Sequence, residues 1–279
     1  MRALDRHSRC LLTALLACVL AAAAAPARAQ GPERQADLAG VLARKELRVA
    51  LPAYDVPPFF YVRDGVLQGM DVELAQNLAG ELGVRPVFDR RAKTFNAVVD
   101  VIAAHEADVA ICKLSRTLLR ARVVQFSRPY LVLKHALVVN RVRFAEIARG
   151  RDAADVIRDL KAPIGVMGGT AYVDFAHRYF PGATLNEFSS WDELIAALRA
   201  GRIVAGYRDE VEIKKLIRDD PSVSLTLRTV TLNDLVDTIG MALPLSSPHF
   251  AAFLDMYIAE KAGTKGAKDV LVRYDKLAR

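Results

Sequence analysis

The sequence predicts an α/β protein built as two similar lobes around a cleft. Three observations predict it. Strand-like runs alternate with amphipathic helical runs from Lys45 onward, the pattern of a mainly parallel sheet flanked by helices. The alternation occurs twice, once before Leu114 and again after Ile164. Two long apolar runs, at 130–140 and 237–243, read as crossings from the first sheet to the second and back. Two crossings make a hinge, and ligands of open α/β sheets sit beyond the carboxyl ends of the strands, here the cleft. The expected boundaries are an export segment at 1–29, the first part of lobe 1 at 40–134, lobe 2 at 135–234, and a return to lobe 1 at 235–279.

In chain order, residues 30–38 are a polar lead-in and 45–51 a strand. A loop with Tyr54, Pro57 and Pro58 follows, then two short extended pieces around Asp64-Gly65. Residues 71–82 carry Val72, Leu74, Ala75, Leu78, Ala79 and Leu82 at helical spacing, with Asp71 as expected cap and Gly83 as stop. A strand at 84–88, a helix at 94–104 with Phe95, Val98, Val99 and Ile102 on one side, and a buried strand at 108–114 complete the first unit. The second has strands at 164–167, 184–188 and 203–207. Its helices are expected at 171–179, 190–200 and 210–217, the second opening on a Ser190/Glu193 capping box. Helices at 249–262 and 267–277 close the chain.

The N-terminus reads as an export signal. Arg2, Arg6 and Arg9 precede a run of about 15 apolar residues, and Ala27-Arg28-Ala29 is a cleavage site. The run is shorter than the roughly 20 residues that span a bilayer. Leu15-Leu16-Ala17-Cys18 resembles a lipobox, but the apolar run continues past Cys18, which favours free export. Cleavage after Ala29 leaves 250 residues and lowers the net charge from +7 to +4. It also leaves Cys112 as the single cysteine, in an apolar run that reads as core.

Composition excludes a disordered or low-complexity chain, since 52% of residues are hydrophobic and 25% charged. Basic residues are scattered among acids with no aromatic-interleaved patch, which argues against nucleic acid. The five histidines lack metal-ligand spacing, there is no Walker A loop, and no cofactor or metal is expected. No nucleophile–base constellation is visible, so the chain is not expected to be an enzyme.

Four segments, in order, carry a resemblance. They are Gly69-Met-Asp71-Val-Glu-Leu-Ala75, Ser115-Arg-Thr117-Leu-Leu-Arg120, Phe126-Ser127-Arg128-Pro129-Tyr130, and Gly201-Arg202-Ile203 followed by Tyr207-Arg208-Asp209. Together they resemble the bacterial extracellular solute-binding proteins of family 3, the periplasmic amino-acid receptors of ABC importers. The resemblance runs from about Leu47 to Tyr274 and implies a two-lobed periplasmic binding protein-like fold with two hinge crossings. It implies a periplasmic, monomeric protein that closes on a small amino acid or organic acid and delivers it to a membrane permease with its ATPase.

The resemblance also assigns roles. Arg120 takes the place of the arginine that clamps the ligand carboxylate, for which a planar guanidinium is suited. Asp209 takes the place of the ammonium acceptor, and it also suits the cap of the following helix. Ser115 and Thr170 match positions whose hydroxyls and amides meet the carboxylate, and Gly169 and Thr170 begin a helix, where free amides suit an anion. Tyr54, Phe60 and Phe95 are candidates for the aromatic wall. Lys113 departs from the family's small residue. A cation there either recognises a second carboxylate or pairs with Asp108 or another acid. Relatives that resemble cyclohexadienyl dehydratases leave an enzymatic alternative, for which Glu73, Asp209 and Glu210 are the motif-linked acids. An accessory or sensor role without a permease is the third. Ending at Arg279, the chain is not expected to carry a fused signalling domain.

Overall fold

A computed structural model of the chain describes residues 37–277. The expected signal peptide, its cleavage site and the lead-in up to residue 36 lie outside the described residues. Helix α1 (Leu38–Arg44), to which the sequence reading assigned no element between the lead-in and the first strand, is capped by Asp37, whose carboxylate accepts from the Leu38 amide at 2.8 Å. There follow β1 (Glu46–Pro52), the hairpin β2 (Tyr61–Arg63) and β3 (Val66–Gln68), α2 (Met70–Leu82), β4 (Arg85–Ala92), α3 (Phe95–Ala103), β5 (Val109–Ala110) and β6 (Val124–Phe126). Asp71 does not cap α2. Gly69 does, at φ 129°, because a Cβ there would stand 2.4 Å from the Phe59 carbonyl oxygen. Asp71 falls in the first turn and is buried.

The chain then crosses on β7 (Leu131–Asn140) and continues through α4 (Arg141–Ala148), α5 (Ala153–Arg158), β8 (Pro163–Met167), α6 (Ala171–Tyr179), β9 (Thr184–Phe188), α7 (Trp191–Arg199), β10 (Ala205–Asp209) and α8 (Glu210–Asp219). It returns on β11 (Leu227–Ile239) to β12 (Ala242–Pro244), then α9 (Pro248–Tyr257), β13 (Lys265–Gly266) and α10 (Ala267–Leu277). The apolar run expected as one return strand is thus two, broken at Gly240 and Met241. Helix α5 buries Val156 and Ile157 but is only six residues long, and α4 carries almost no apolar stripe. Only Phe144 of α4 is buried, so periodicity did not mark it.

The first sheet has the order β4-β1-β5-β12-β6 and the second β11-β7-β10-β8-β9. In each, three strands pair in parallel (β4-β1-β5 and β10-β8-β9), β13 adds to β7 in parallel, and the rest join antiparallel. Helices cover both faces of the second sheet, which is why β7 is apolar without alternation. Leu137 and Val139 pack on one face with Ile164, Val166 and Tyr207, while Ala136 and Val138 pack on the other with Leu194 and Leu198. Cores of this kind lose about 2–5 kcal/mol for a leucine cut to alanine.

The two crossings lie side by side. Strands β7 and β11 pair from Leu227↔Asn140 to Ile239↔Leu131, with a bulge between Leu232 and Val236. At the first-lobe end, the Tyr130 amide donates to the Ile239 carbonyl at 3.0 Å, Gly240 to Leu114 at 3.2 Å, and Ser127 to Met241 at 2.9 Å. This hydrogen-bonded neck is the hinge, and it places the ends of β5 and β10 face to face.

Candidate functional site

The segment after β5 supplies the first wall. The loop is held to the neck by an Arg116 amide bond to Thr238 at 2.8 Å and a bridge between Ser115 and Ile239. Thr117 then accepts from the Arg120 amide at 3.1 Å and starts the 3-10 turn Arg120–Arg122. The Arg120 side chain is thereby turned inward and is 5% exposed. Its Nη1 donates to the Ser115 carbonyl at 3.0 Å and its Nη2 to Asn96 Oδ1 at 2.8 Å, while Nε has no partner. Among the described residues no salt bridge reaches this guanidinium. Burial pushes its pKa down, and the nearby Asp237 works against that shift.

The second wall is the N-terminal end of α6 and the β10–α8 junction. Thr170 caps α6, accepting from the Tyr172 amide and donating to the Met167 carbonyl at 2.7 Å. Asp209 caps α8, accepting from the Val211 and Glu212 amides at 3.1 and 3.2 Å. Its other oxygen is 2.8 Å from Lys113 Nζ, which is also 2.9 Å from Glu212 Oε1. Lys113 therefore does not pair with Asp108, which is held by Arg44 and Arg48. It reaches across the cleft instead, with its ammonium 4.9 Å from the Phe59 ring centroid. Burial disfavours its charge, but Asp209 and Glu212 hold its pKa above the ordinary lysine value.

Between the walls lies a cavity of about 20 Å³ lined by Phe95, Lys113, Ser115, Arg120, Thr170, Ala171, Tyr172, Arg208, Asp209 and Asp237. The fold thus brings together six of the nine residues singled out in the sequence, with Gly169 beside them. Tyr54 stands at the rim, 41% exposed, with its ring edge-on to Phe95 at 6.0 Å. Phe60 lies elsewhere, fully buried in the first-lobe core.

Sequence reasoning did not single out Asn96, Tyr172, Arg208, Glu212 or Asp237. Arg208 was within the quoted motif and Glu212 one turn beyond it, but Asp237 belongs to the returning strand and has no local signal. Ser115 Oγ donates to Asp237 Oδ2 at 2.9 Å and Tyr172 Oη at 3.2 Å, while Oδ1 has no partner. Burial pushes Asp237 up to about 6. Of the acids linked to the motifs, Glu73 is tied to Arg273 and Glu210 to Lys214 and the Lys134 amide, so neither lines the cavity.

Contacts across the cleft are made throughout. Besides Lys113 to Asp209, the Asn96 amide donates to the Gly169 carbonyl at 3.1 Å and Lys215 Nζ to the Pro57 carbonyl at 2.6 Å. The lobes are closed on one another.

Two sheets joined by a paired neck, with polar side chains converging between them, define a two-lobed periplasmic binding protein-like fold. Residues 47–167 match the family model of the bacterial extracellular solute-binding proteins, family 3, and over that stretch the resemblance drawn from the motifs is confirmed. The histidine-binding periplasmic protein of Escherichia coli (strain K12) is 26% identical over 150 residues, 53% of this chain and 54% of that protein. The chain thus matches about half the length of that relative. The crystal structure of an amino acid ABC transporter substrate-binding protein, AbpA from Streptococcus pneumoniae, bound to L-arginine, is 25% identical. It superposes with a TM-score of 0.64 over 86% of this chain and 95% of that one. The ancestral amino acid-binding protein AncCDT-1, a precursor of cyclohexadienyl dehydratase, has the same fold at 23% identity and a TM-score of 0.64, over 86% of this chain and 96% of that one. Among the described residues no helix is long and apolar enough to cross a membrane.

Proposed function

We propose that this protein is a periplasmic solute-binding protein that captures a small carboxylate-bearing solute, an amino acid or related organic acid, by hinge closure and delivers it to an ABC importer. The observation that carries the reading is Arg120, a guanidinium 5% exposed, facing the cleft, with Nε unpartnered and, among the described residues, no carboxylate in salt-bridge range. An unpaired buried cation in a site between two moving lobes calls for an anion from outside. Thr170 and Ala171, at the N-terminal end of α6, line the same cavity, and a helix N-terminus suits that anion. Closure then follows because one solute touches both lobes. The partners in this reading are a permease and its ATPase, the protein is monomeric, and it reaches the periplasm after cleavage behind Ala29.

Mass spectrometry of small molecules released by denaturing the purified protein tests the reading, followed by calorimetric titration of what is found. A carboxylate that binds the wild type and is lost in Arg120→Ala supports it. A solute without a carboxylate, or an affinity indifferent to Arg120, removes it.

A second reading, an enzyme on this fold, draws on Asp237. Raised to about 6 and with one oxygen unpartnered, it is a carboxylic acid in the cleft able to protonate a leaving hydroxyl. Incubation with prephenate or arogenate, watched for an aromatic product, tests that reading. Product formation lost in Asp237→Asn would favour the enzyme, and no product would favour capture alone.

A further inference from the structure

Two groups that line the cavity are buried and incompletely partnered, and they differ in sign. Arg120 has Nε unpartnered and, among the described residues, no salt bridge. Asp237 on β11 is 2% exposed and has Oδ1 unpartnered. The two do not pair with each other, and Ser115 holds both. Its carbonyl accepts from Arg120 Nη1 at 3.0 Å, and its hydroxyl donates to Asp237 Oδ2 at 2.9 Å. A buried donor and a buried acceptor left open each carry a desolvation cost. A carboxylate alone answers Arg120 and leaves Oδ1 open. An ammonium alone does the reverse. A zwitterion with its charges a few bonds apart answers both.

The second carboxylate of the lining, Asp209, is already taken. It gives one oxygen to two amides of α8 and the other to Lys113 at 2.8 Å. The next acid outward, Glu212, holds Lys113 at 2.9 Å and Lys215 at 3.1 Å. Lys113 is fixed from behind, with φ 55° and its amide donating to Tyr130 Oη at 3.0 Å. An ammonium arriving at Asp209 would have to displace Lys113 from two acids and leave a second buried cation unpaired. At Asp237 Oδ1 it displaces nothing.

Asp237 is also well held. Its Oδ2 takes one hydroxyl from each lobe, Ser115 from the first and Tyr172 of α6, at 3.2 Å, from the second. These bonds fix the carboxylate and leave Oδ1 as its open oxygen. Strand β11 is part of the neck, so Asp237 keeps its place while the lobes part. The closed space, about 20 Å³, holds about one water. A solute therefore enters while the lobes are apart, meets Arg120 and Asp237, and sets how far they close again.

We infer that Asp237, not Asp209, takes the ammonium of an α-amino-acid solute, Lys113 being the chain's own ammonium on Asp209. This rests on the reading of the cleft as a solute site and adds to it the residue that tells an amino acid from other carboxylates.

The twenty common L-amino acids are screened against the purified protein by thermal shift. The one that stabilises most is titrated calorimetrically beside its 2-hydroxy acid, which replaces the ammonium with a hydroxyl and keeps the rest. The titrations are run at pH 8, above the value of about 6 to which burial pushes Asp237. The wild type is expected to favour the amino acid by at least about tenfold. In Asp237→Asn, which keeps an acceptor for Ser115 and Tyr172 without the charge, that preference is expected to fall at least about tenfold. In Asp209→Asn it is expected to change less than about threefold, because a weaker cap or looser closure affects both compounds alike. A preference lost in Asp209→Asn and kept in Asp237→Asn overturns the inference and leaves the solute site standing, as does a wild type without preference. Stabilisation by none of the twenty overturns it too, and the Arg120→Ala titration of the released solute then decides the solute site separately. A crystal structure of the wild type with that amino acid reads the same point should Asp237→Asn not fold. The solute nitrogen within about 3.2 Å of Asp237 Oδ1 supports the inference, and the nitrogen on Asp209 overturns it.

Discussion

The backbone amide of Asn96 in the first lobe donates to the Gly169 carbonyl in the second, at 3.1 Å. The bond joins the first turn of α3 to the turn that opens α6, directly above Arg120, whose Nη2 holds the Asn96 side chain at 2.8 Å. One asparagine thus couples the arginine to the closing of the lobes. Gly169 is required on its side for two reasons. Its φ is 68°, and a Cβ there would lie 2.7 Å from the Thr94 Cβ.

Gly169→Ala therefore strains the closed form specifically, because Thr94 is a first-lobe residue. A non-glycine residue in the left-handed region costs about 1–2 kcal/mol, and the clash adds to it. The variant is expected to populate an open form, with a larger radius of gyration by small-angle scattering and a lower solute affinity. An unchanged radius would mean that the two lobes are not held at this point.

Arg120→Ala is expected to weaken carboxylate binding by about 2–5 kcal/mol, the range for removing one partner of a buried charge contact. Arg120→Lys should recover little, since an ammonium cannot offer two parallel donors and still hold Asn96 and Ser115. Calorimetry on both variants checks this, and a full rescue by lysine would argue for a simple charge effect.

For Asp209→Ala the larger expected effect is on folding. The substitution removes the cap of α8, typically about 1 kcal/mol, and strips one acid from the buried Lys113, which adds to give about 3–5 kcal/mol. Urea unfolding followed by circular dichroism reads the change. A variant as stable as the wild type would show that Glu212 alone satisfies Lys113.

Asp71, buried at the start of α2 with Oδ2 unpartnered, is pushed up to about 7 by burial, against a hydrogen bond from Tyr130. The folded pKa lies above the unfolded one, so the folded state binds the proton more tightly. The stability this group contributes is complete below about pH 4 and is lost as pH rises through about 7. Asp71→Asn does not titrate. Its stability relative to wild type should rise by about 2–4 kcal/mol between pH 4 and pH 8, in denaturant titrations at the two values. A flat difference would mean that Asp71 stays ionised.

Cys112 is fully buried, and burial pushes its thiol well above the ordinary range. At pH 8 it is expected to resist a disulfide-exchange reagent in the folded protein and to react fully in guanidinium. Reaction without denaturant would show that this part of the first-lobe core opens.

Much of the fold was legible because the parallel parts of both sheets are covered by helices. Helix α6 and strand β9 lie where the sequence put them, at Ala171–Tyr179 and Thr184–Phe188. Ser190 caps α7, but the expected capping box is only half made, since Glu193 turns its carboxylate to the Ser189 hydroxyl. The misses share a cause. In α4 and in β11, whose middle is exposed around Asn233 and Asp234, too little surface is buried for the sequence to show a period.

The sequence by itself determined the two α/β units, the hinge runs between them and the loop that carries Ser115 and Arg120, because these depend on local pattern and on motifs a few residues long. It left Lys113 undecided between Asp108 and another partner, and it gave no sign of Asp237. Those two questions were decided by the tertiary structure alone. Lys113 and Asp209 are 96 residues apart in the chain, and Ser115 and Asp237 122 apart. Which buried acid satisfies which buried donor depends on how the lobes close, and nothing in the local sequence encodes that choice.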